Sequence, residues 1–228
     1  PGVTCIVGPQ QDEALDAIER QAARVGAPLV IAGQEFTSTV EDGRLIYRDE
    51  HGLLDMPLPS LPGAHQIENA GTALAALRAL EISDAAMEAA PAAATWPGRV
   101  QRLTKGPLAE TATKAGAELW LDGGHNPGAV AVIENFLSDL QQRETRPLTL
   151  ICGMLTTKDP SGYFENLTSL SPEVITVPIT SSDAGYDAEE LATYARKAGL
   201  NAQAAPSLKT AFEKLNNDEA QRILIAGS

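Results

Sequence analysis

Two cysteines and three histidines are the whole supply of thiol and imidazole ligands in 228 residues. Cys5 and Cys152 each sit inside an apolar run and make neither a disulfide framework nor a zinc ligand set, so they read as buried thiols in a reducing compartment. No H-E-x-x-H or similar spacing joins His51, His65 and His125, which argues against a transition-metal site built by this chain alone. Long apolar runs are missing too: those present, such as 28–32 (PLVIA), fall far short of the roughly 18 to 20 residues a membrane helix needs. With no signal peptide either, the cytoplasm is the expected location and no membrane partner is expected. Basic charge is scarce: 17 Lys and Arg against 30 Asp and Glu give a net charge of −13 with no basic cluster. Such a chain repels a phosphate backbone, so nucleic acid is not an expected partner, and an anionic ligand must be met by a few placed cations or by backbone N–H groups.

Two phosphate-binding signatures are absent as well. Gly123 and Gly128 have the G-x-x-x-x-G spacing, but Ala129 and Val130 stand where a Walker loop needs Lys and Ser or Thr, and no G-x-G-x-x-G occurs. Whatever holds the phosphates of a nucleoside triphosphate is therefore expected outside this chain. Its first residues, Pro1-Gly2, and its last, an apolar run ending in Gly227-Ser228, read as those of a fragment cut at both ends from a longer protein.

What is present is ordinary for a globular chain, 43% hydrophobic and 21% charged, with length for one large domain or two small ones. An apolar run at 3–7, a helical pattern (Ala14, Leu15, Ile18, Ala22, Val25) and a second run at 28–31 make a strand, helix, strand unit. Segments 35–40, 44–48 and 52–56, with Asp42-Gly43 as a hairpin signal, predict a small antiparallel patch. Helices are predicted over 65–80 and, after a Ser83 cap, over 84–94. Trp96-Pro97-Gly98 breaks the pattern. Beyond it, strands (99–104, 117–121, 148–152, 173–178, 221–226) alternate with helices (128–142, 160–169, 187–198, 207–216), the signature of a mostly parallel α/β sheet. The expected organisation is thus the end of one α/β domain at 1–95, a hinge at 96–98 and a Rossmann-like domain at 99–228.

The densest chemistry lies in Leu121-Asp122-Gly123-Gly124-His125-Asn126-Pro127-Gly128, where a strand ends and a helix begins. Asn126 and Pro127 suit the N-cap and first helical positions. Asp122 and His125 are not needed for capping, and both a site role and a structural one stay open for them. Asp159-Pro160 repeats the capping pattern. Lys158 beside it stands at a strand end, where a cation meets an anionic substrate or stays solvated. Arg99 follows the Trp-Pro-Gly break, as a ligand-binding or a surface cation. Asn69 and His65 begin the 65–80 helix, where a helix-end hydrogen bond competes with a ligand contact.

Taken in order, GAHQIENAGTALAAL (63–77), WPGRVQ (96–101), LDGGHNPGA (121–129), GMLTTKD (153–159) and LIAGS (224–228) resemble the folylpolyglutamate synthase/dihydrofolate synthase family of the Mur ligase superfamily. The resemblance covers nearly the whole chain. It implies the C-terminal part of a P-loop ATPase-type domain followed by a Rossmann-like Mur ligase C-terminal domain. It implies a cofactor role for Asn69 at the adenine of ATP, with Arg99 and Asp122 completing the nucleotide site. His125 becomes the catalytic residue at the reacting centre, and Lys158 and Ser228 bind substrate. The implied reaction uses ATP and Mg²⁺ to phosphorylate a carboxyl of dihydropteroate or of a folate γ-glutamate tail, after which the amine of L-glutamate attacks the acyl phosphate. The metal ligands are expected before Pro1, the fragment alone is expected to be inactive, and the parent enzyme is expected to be a monomer. The family commonly has an Arg after the strand at 174–178, where Thr180–Gly185 has none, and the long interval from Arg99 to Asp122 suggests an inserted hairpin loop at 105–116. A non-enzymatic Rossmann-like module that binds a small ligand through Asp122 and His125, and a Mur-type ligase acting on a peptidoglycan precursor, remain alternatives.

Overall fold

The computed structural model describes residues 2–215 and 220–227. They fall into two compact units, Pro1–Trp96 and Pro97–Ser228. In the first, β1 (Cys5–Val7), α1 (Asp12–Val25) and β2 (Leu29–Ile31) form a parallel pair with its crossover helix. Strands β3 (Thr37–Glu41), β4 (Arg44–Asp49) and β5 (Gly52–Met56) follow as an antiparallel sheet. The β3–β4 turn has positive φ at both central residues, 48° at Asp42 and 75° at Gly43, the twist a two-residue hairpin requires. Helices α2 (His65–Ala79) and α3 (Asp84–Ala93) complete the unit, and Leu45, Tyr47, Met56, Leu74 and Met87 form its core. Ser83 stands at the N-cap of α3, but its side chain makes no capping hydrogen bond.

The second unit runs β6 (Gln101–Arg102), α4 (Pro107–Lys114), β7 (Glu118–Asp122), α5 (Pro127–Arg143), β8 (Leu148–Gly153), α6 (Pro160–Glu165), a 3₁₀ turn at Thr168–Leu170, β9 (Glu173–Thr176), α7 (Ala188–Lys197), β10 (Ala202–Ala204), α8 (Leu208–Glu213) and β11 (Arg222–Gly227). The six strands lie in the order β10-β9-β8-β11-β7-β6, all parallel except β6. Alternate residues face opposite helical layers. Leu150, Cys152 and Leu224 meet Ile133 and Leu137 of α5 and Leu191 of α7, whereas Ile151, Ile223 and Leu119 meet Ala109 and Ala112 of α4 and Phe212 of α8. Burial on both faces is why β8 reads as an unbroken apolar run. Among the described residues no helix is long and apolar enough to cross a membrane.

Three local expectations give way. The stretch 105–116 is no hairpin: Pro107 starts α4, which buries the small side chains of Ala109 and Ala112. The predicted helix 160–169 stops at Glu165 and resumes as one 3₁₀ turn. The predicted strand 99–104 shrinks to Gln101–Arg102, because Val100 just before it takes a φ of 42°, outside any strand conformation.

At the amino edge of the sheet Arg222, only 2% exposed, donates from Nε to Glu118 Oε2 (2.9 Å) and from Nη1 to Gln141 Oε1. Arg102 Nη2 lies 3.3 Å from the second oxygen of Glu118. Burial alone would raise the Glu118 carboxyl, but the hydrogen bond and charge of Arg222, with Arg102 adding to them, hold it below the usual carboxylate range. A carboxyl depressed in the folded state contributes stability above its unfolded value, near 4.3, and that contribution is lost as pH falls through the folded value. Glu118→Gln is expected to cost about 3–5 kcal/mol at neutral pH, since it strands a buried guanidinium. The deficit should shrink as the medium is acidified below the carboxylate range. Urea melts of both chains from neutral to acidic pH check this, and a neutral-pH loss under about 1 kcal/mol would place the pair among ordinary surface ion pairs.

Candidate functional site

Parallel pairing brings the carboxyl ends of β7, β8, β9 and β11 to one edge, so the loops at 123–126, 154–159 and 177–187 leave from the same side. Ligands of open α/β sheets bind at this edge. Because β6 is antiparallel, with Gln101 opposite Leu121, the Pro97–Val100 turn also arrives there.

The turn and the β7–α5 loop are stitched together. Gly123 N donates to Gly98 O (2.8 Å), and Gly98 N donates to the Gln101 side chain (3.0 Å). Asp122, 6% exposed, accepts from Val100 N at Oδ2 (2.7 Å) and from Gly124 N at Oδ1 (2.6 Å). The first donor sits on a β-branched residue in the left-handed region, a conformation that costs about 1–3 kcal/mol and persists only where surrounding contacts enforce it. The second donor sits on a glycine for want of room: a Cβ on Gly124 would stand 2.8 Å from Asp122 Oδ1 and 2.7 Å from Ile133 Cδ1.

His125 is half-buried, and its Nδ1 lies 2.9 Å from Gly123 O. A carbonyl oxygen can only accept, so Nδ1 carries the proton and neutral His125 keeps a lone pair on Nε2. Asn126 accepts from Ala129 N (2.9 Å) as the N-cap of α5, and Asp159 accepts from Ser161 N and Gly162 N as the N-cap of α6, the capping roles their positions predict. Arg99 is exposed and, among the described residues, makes no hydrogen bond or ion pair; the space beside Gly123 leads to its Nη1. Lys158 is half-buried on the β8–α6 loop. The second unit therefore gathers Arg99, Asp122, His125 and Lys158 at one edge. The expected contact at Ser228 lies outside the described residues.

Asn69 belongs to the first unit and is exposed on α2. It donates to Gln66 Oε1 (3.3 Å), whose amide nitrogen meets His65 Nε2 (2.8 Å). Gln66 and Asn69 are polar groups on the wall of a mainly apolar slot of about 230 Å³, whose other lining includes Leu61, Ala70, Leu74 and Pro91. A larger, open cavity of about 630 Å³ in the same unit is lined by Tyr47, Asp49 and Arg78, but these groups are committed to one another: Arg78 bonds Asp49 and Asp84. Burial, with the Asp49 charge beside it, pushes the Tyr47 phenol far above its usual value. Burial likewise pushes the Cys152 thiol up to about 12, which leaves it inert.

Reading along the chain did not find Gly98, Val100 and Gln101 as parts of the site. The Trp-Pro-Gly break and the WPGRVQ resemblance at 96–101 are the signals near them, and nothing in either marks a left-handed valine.

Comparison with known proteins follows the same geography. A family model described as "Dihydrofolate synthetase, C-terminal domain" matches residues 105–228. The dihydrofolate synthase/folylpolyglutamate synthase of Escherichia coli K12 is 34% identical over 189 residues, which are 82% of this chain and 40% of that protein. Escherichia coli FolC, solved in complex with DHPP and ADP, superposes with a TM-score of 0.77 at 28% identity, over 93% of this chain and 47% of that one. A bifunctional folylpolyglutamate synthase/dihydrofolate synthase of Yersinia pestis, solved with AMPPNP and Mn, gives 0.77 at 26% identity, over 98% and 49%. The chain spans about half the length of these solved relatives. With the family model covering the α/β unit and the likeness to solved structures running through both units, the chain belongs to the folylpolyglutamate synthase/dihydrofolate synthase family.

Proposed function

We propose that this chain is part of an ATP-dependent ligase that adds L-glutamate to dihydropteroate, to the γ-carboxyl of folates, or to both. On this reading residues 1–95 are the C-terminal part of the ATPase domain, 96–98 the hinge and 99–228 the ligase domain. The observation that carries it is the coincidence of family membership with an ordered edge site of matching chemistry. The Escherichia coli relative was solved in complex with DHPP and ADP.

The apolar slot beside Asn69 suits a flat heteroaromatic base, and a carboxamide presents the donor and acceptor that pair with an adenine edge. Arg99 supplies a cation for phosphate oxygens. Asp122 completes that half of the site through the backbone its oxygens hold, at Val100 N and Gly124 N. Lys158, with Ser228, binds the anionic substrate. When the glutamate amine attacks the acyl phosphate, a C–N bond forms, the C–O bond to phosphate breaks, and the amine must shed a proton. The Nε2 lone pair of His125 can accept it, and nearby donors stabilise the tetrahedral oxyanion. Among the described residues no three of His, Cys, Asp and Glu gather to hold a metal ion.

The test is turnover by the full-length protein. Phosphate release should require a pteroate or folate together with L-glutamate, and a protein that binds none of ATP, dihydropteroate and folate would sink the reading in favour of a non-enzymatic module. Arg99→Ala in that protein is expected to weaken ATP binding by about 1.5–3 kcal/mol, the scale of a charge-assisted hydrogen bond. Glutamate affinity should hardly move, and an unchanged ATP affinity by calorimetry would return Arg99 to the surface.

His125 and Asn126 separate chemistry from capping. Asn126→Ala is expected to cost about 1 kcal/mol of folding stability while the folded enzyme keeps its kcat. His125→Ala should lower kcat and kcat/KM together with the melting temperature nearly unchanged. If His125→Ala instead unfolds the domain and the folded remainder retains full kcat, the histidine is structural.

A further inference from the structure

A carboxylate at a ligand-binding edge would ordinarily offer its oxygens to the ligand. Asp122 instead turns both onto main-chain N–H groups and is buried. The identity of those two peptides matters. Val100 N–H belongs to the peptide that follows Arg99. Gly124 N–H belongs to the Gly123–Gly124 peptide, whose carbonyl is the one that accepts from His125 Nδ1. One carboxylate thus touches the peptide beside each of two candidate site residues.

We propose that Asp122 is a positioning residue: its buried carboxylate, bonded to the Val100 and Gly124 N–H groups, holds the turn that carries Arg99 and the peptide that selects the His125 tautomer. The first half of this rests on the nucleotide reading of Arg99 given above. The second half needs no ligand.

On the Arg99 side, the left-handed backbone of Val100 is not self-sustaining for a β-branched residue. Without an acceptor, its amide loses its partner and the residue relaxes towards negative φ. That rotation swings the preceding peptide and the Cα of Arg99 with it. On the His125 side, Asp122 Oδ1, the Gly124 N–H, the Gly123 carbonyl and His125 Nδ1–H form a chain of two hydrogen bonds through one peptide plane. Such chains reinforce one another, so the negative charge of Asp122 favours a proton on Nδ1 and keeps the lone pair on Nε2. The bond from Gly123 N to Gly98 O closes the clasp by tying the two halves together.

Nitrogen NMR of the wild-type chain tests the tautomer without any variant: His125 should be mainly Nδ1–H, and a mainly Nε2–H ring overturns the proposal. Asp122→Asn, which can accept at one donor but must turn an NH₂ towards the other, should shift His125 towards Nε2–H and speed Val100 amide exchange by about tenfold or more. A purely structural carboxylate would lower stability and leave the tautomer of the folded chain alone. In the full-length protein, Asp122→Asn should weaken ATP binding on its own, but by less than about twofold when Arg99→Ala is already present, because coupled residues do not add. If Asp122→Asn instead leaves His125 and Val100 unmoved and weakens ATP binding by the same factor with or without Arg99, Asp122 is a direct ligand contact and the proposal fails. A wild-type protein that binds no ATP would defeat the nucleotide reading alone, with the tautomer still deciding this one.

Discussion

The commitment of the Asp122 carboxylate to backbone N–H groups is the constraint on which the working edge depends. Loops at the carboxyl edge of a parallel sheet have no ladder to satisfy their amides, so irregular backbone there must find other acceptors or face water. Here one carboxylate serves two segments separated in the chain by β6, α4 and β7. Two consequences follow at once. Val100 can hold a conformation it would otherwise refuse, with its side chain in the core of the unit. The loop between β7 and α5 can also bring a glycine hard against a charged oxygen, and that close approach sets the direction in which His125 leaves the sheet.

The opposite edge of the same sheet uses charge differently. Arg222 is among the most buried side chains in the unit, and its partners Glu118 and Gln141 come from a neighbouring strand and from α5. Thr149 and Gln221 add a buried side-chain hydrogen bond beside it. Such networks are weak arguments for net stability but strong ones for register, because a slip of one residue leaves a buried guanidinium alone. Polar groups at the amino edge are thus consumed in aligning strands. Those at the carboxyl edge leave Arg99, Lys158 and the Nε2 of His125 available.

How much of this is legible in the sequence depends on how local the cause is. The caps at Asn126 and Asp159 could be read because N-cap, Pro and helix lie next to one another. The Asp42-Gly43 hairpin and the apolar run of β8 are equally local. Helix α4 was missed because its buried face is made of alanines at 109 and 112, small residues that give little hydrophobic period against Glu110, Thr111 and Lys114. Strand β10, Ala-Gln-Ala, has no β-branched residue to announce it. The partners of Asp122 were not legible at all. Val100 lies 22 residues away, and only the antiparallel course of β6 brings it there. Composition and motif resemblance pointed to the loop between β7 and α5, whereas the hydrogen bonds that fix its conformation are tertiary.

The position of β11 imposes an order of events on the chain. This strand lies between β7 and β8 and pairs with both along its length, yet it is made well after either of them. Its Arg222 finds Glu118 across 104 residues of sequence. Until it inserts, β7 and β8 have no partner on their facing edges, and the apolar side chains of Ile223 and Leu224 are missing from both helical layers. Central pairing that must wait for distant chain is slow, because loop-closure entropy is spent before any contact repays it. A nascent or truncated chain lacking these residues therefore presents two open, apolar strand edges, the template on which one polypeptide adds to another. The strand that completes the sheet also closes its route to aggregation.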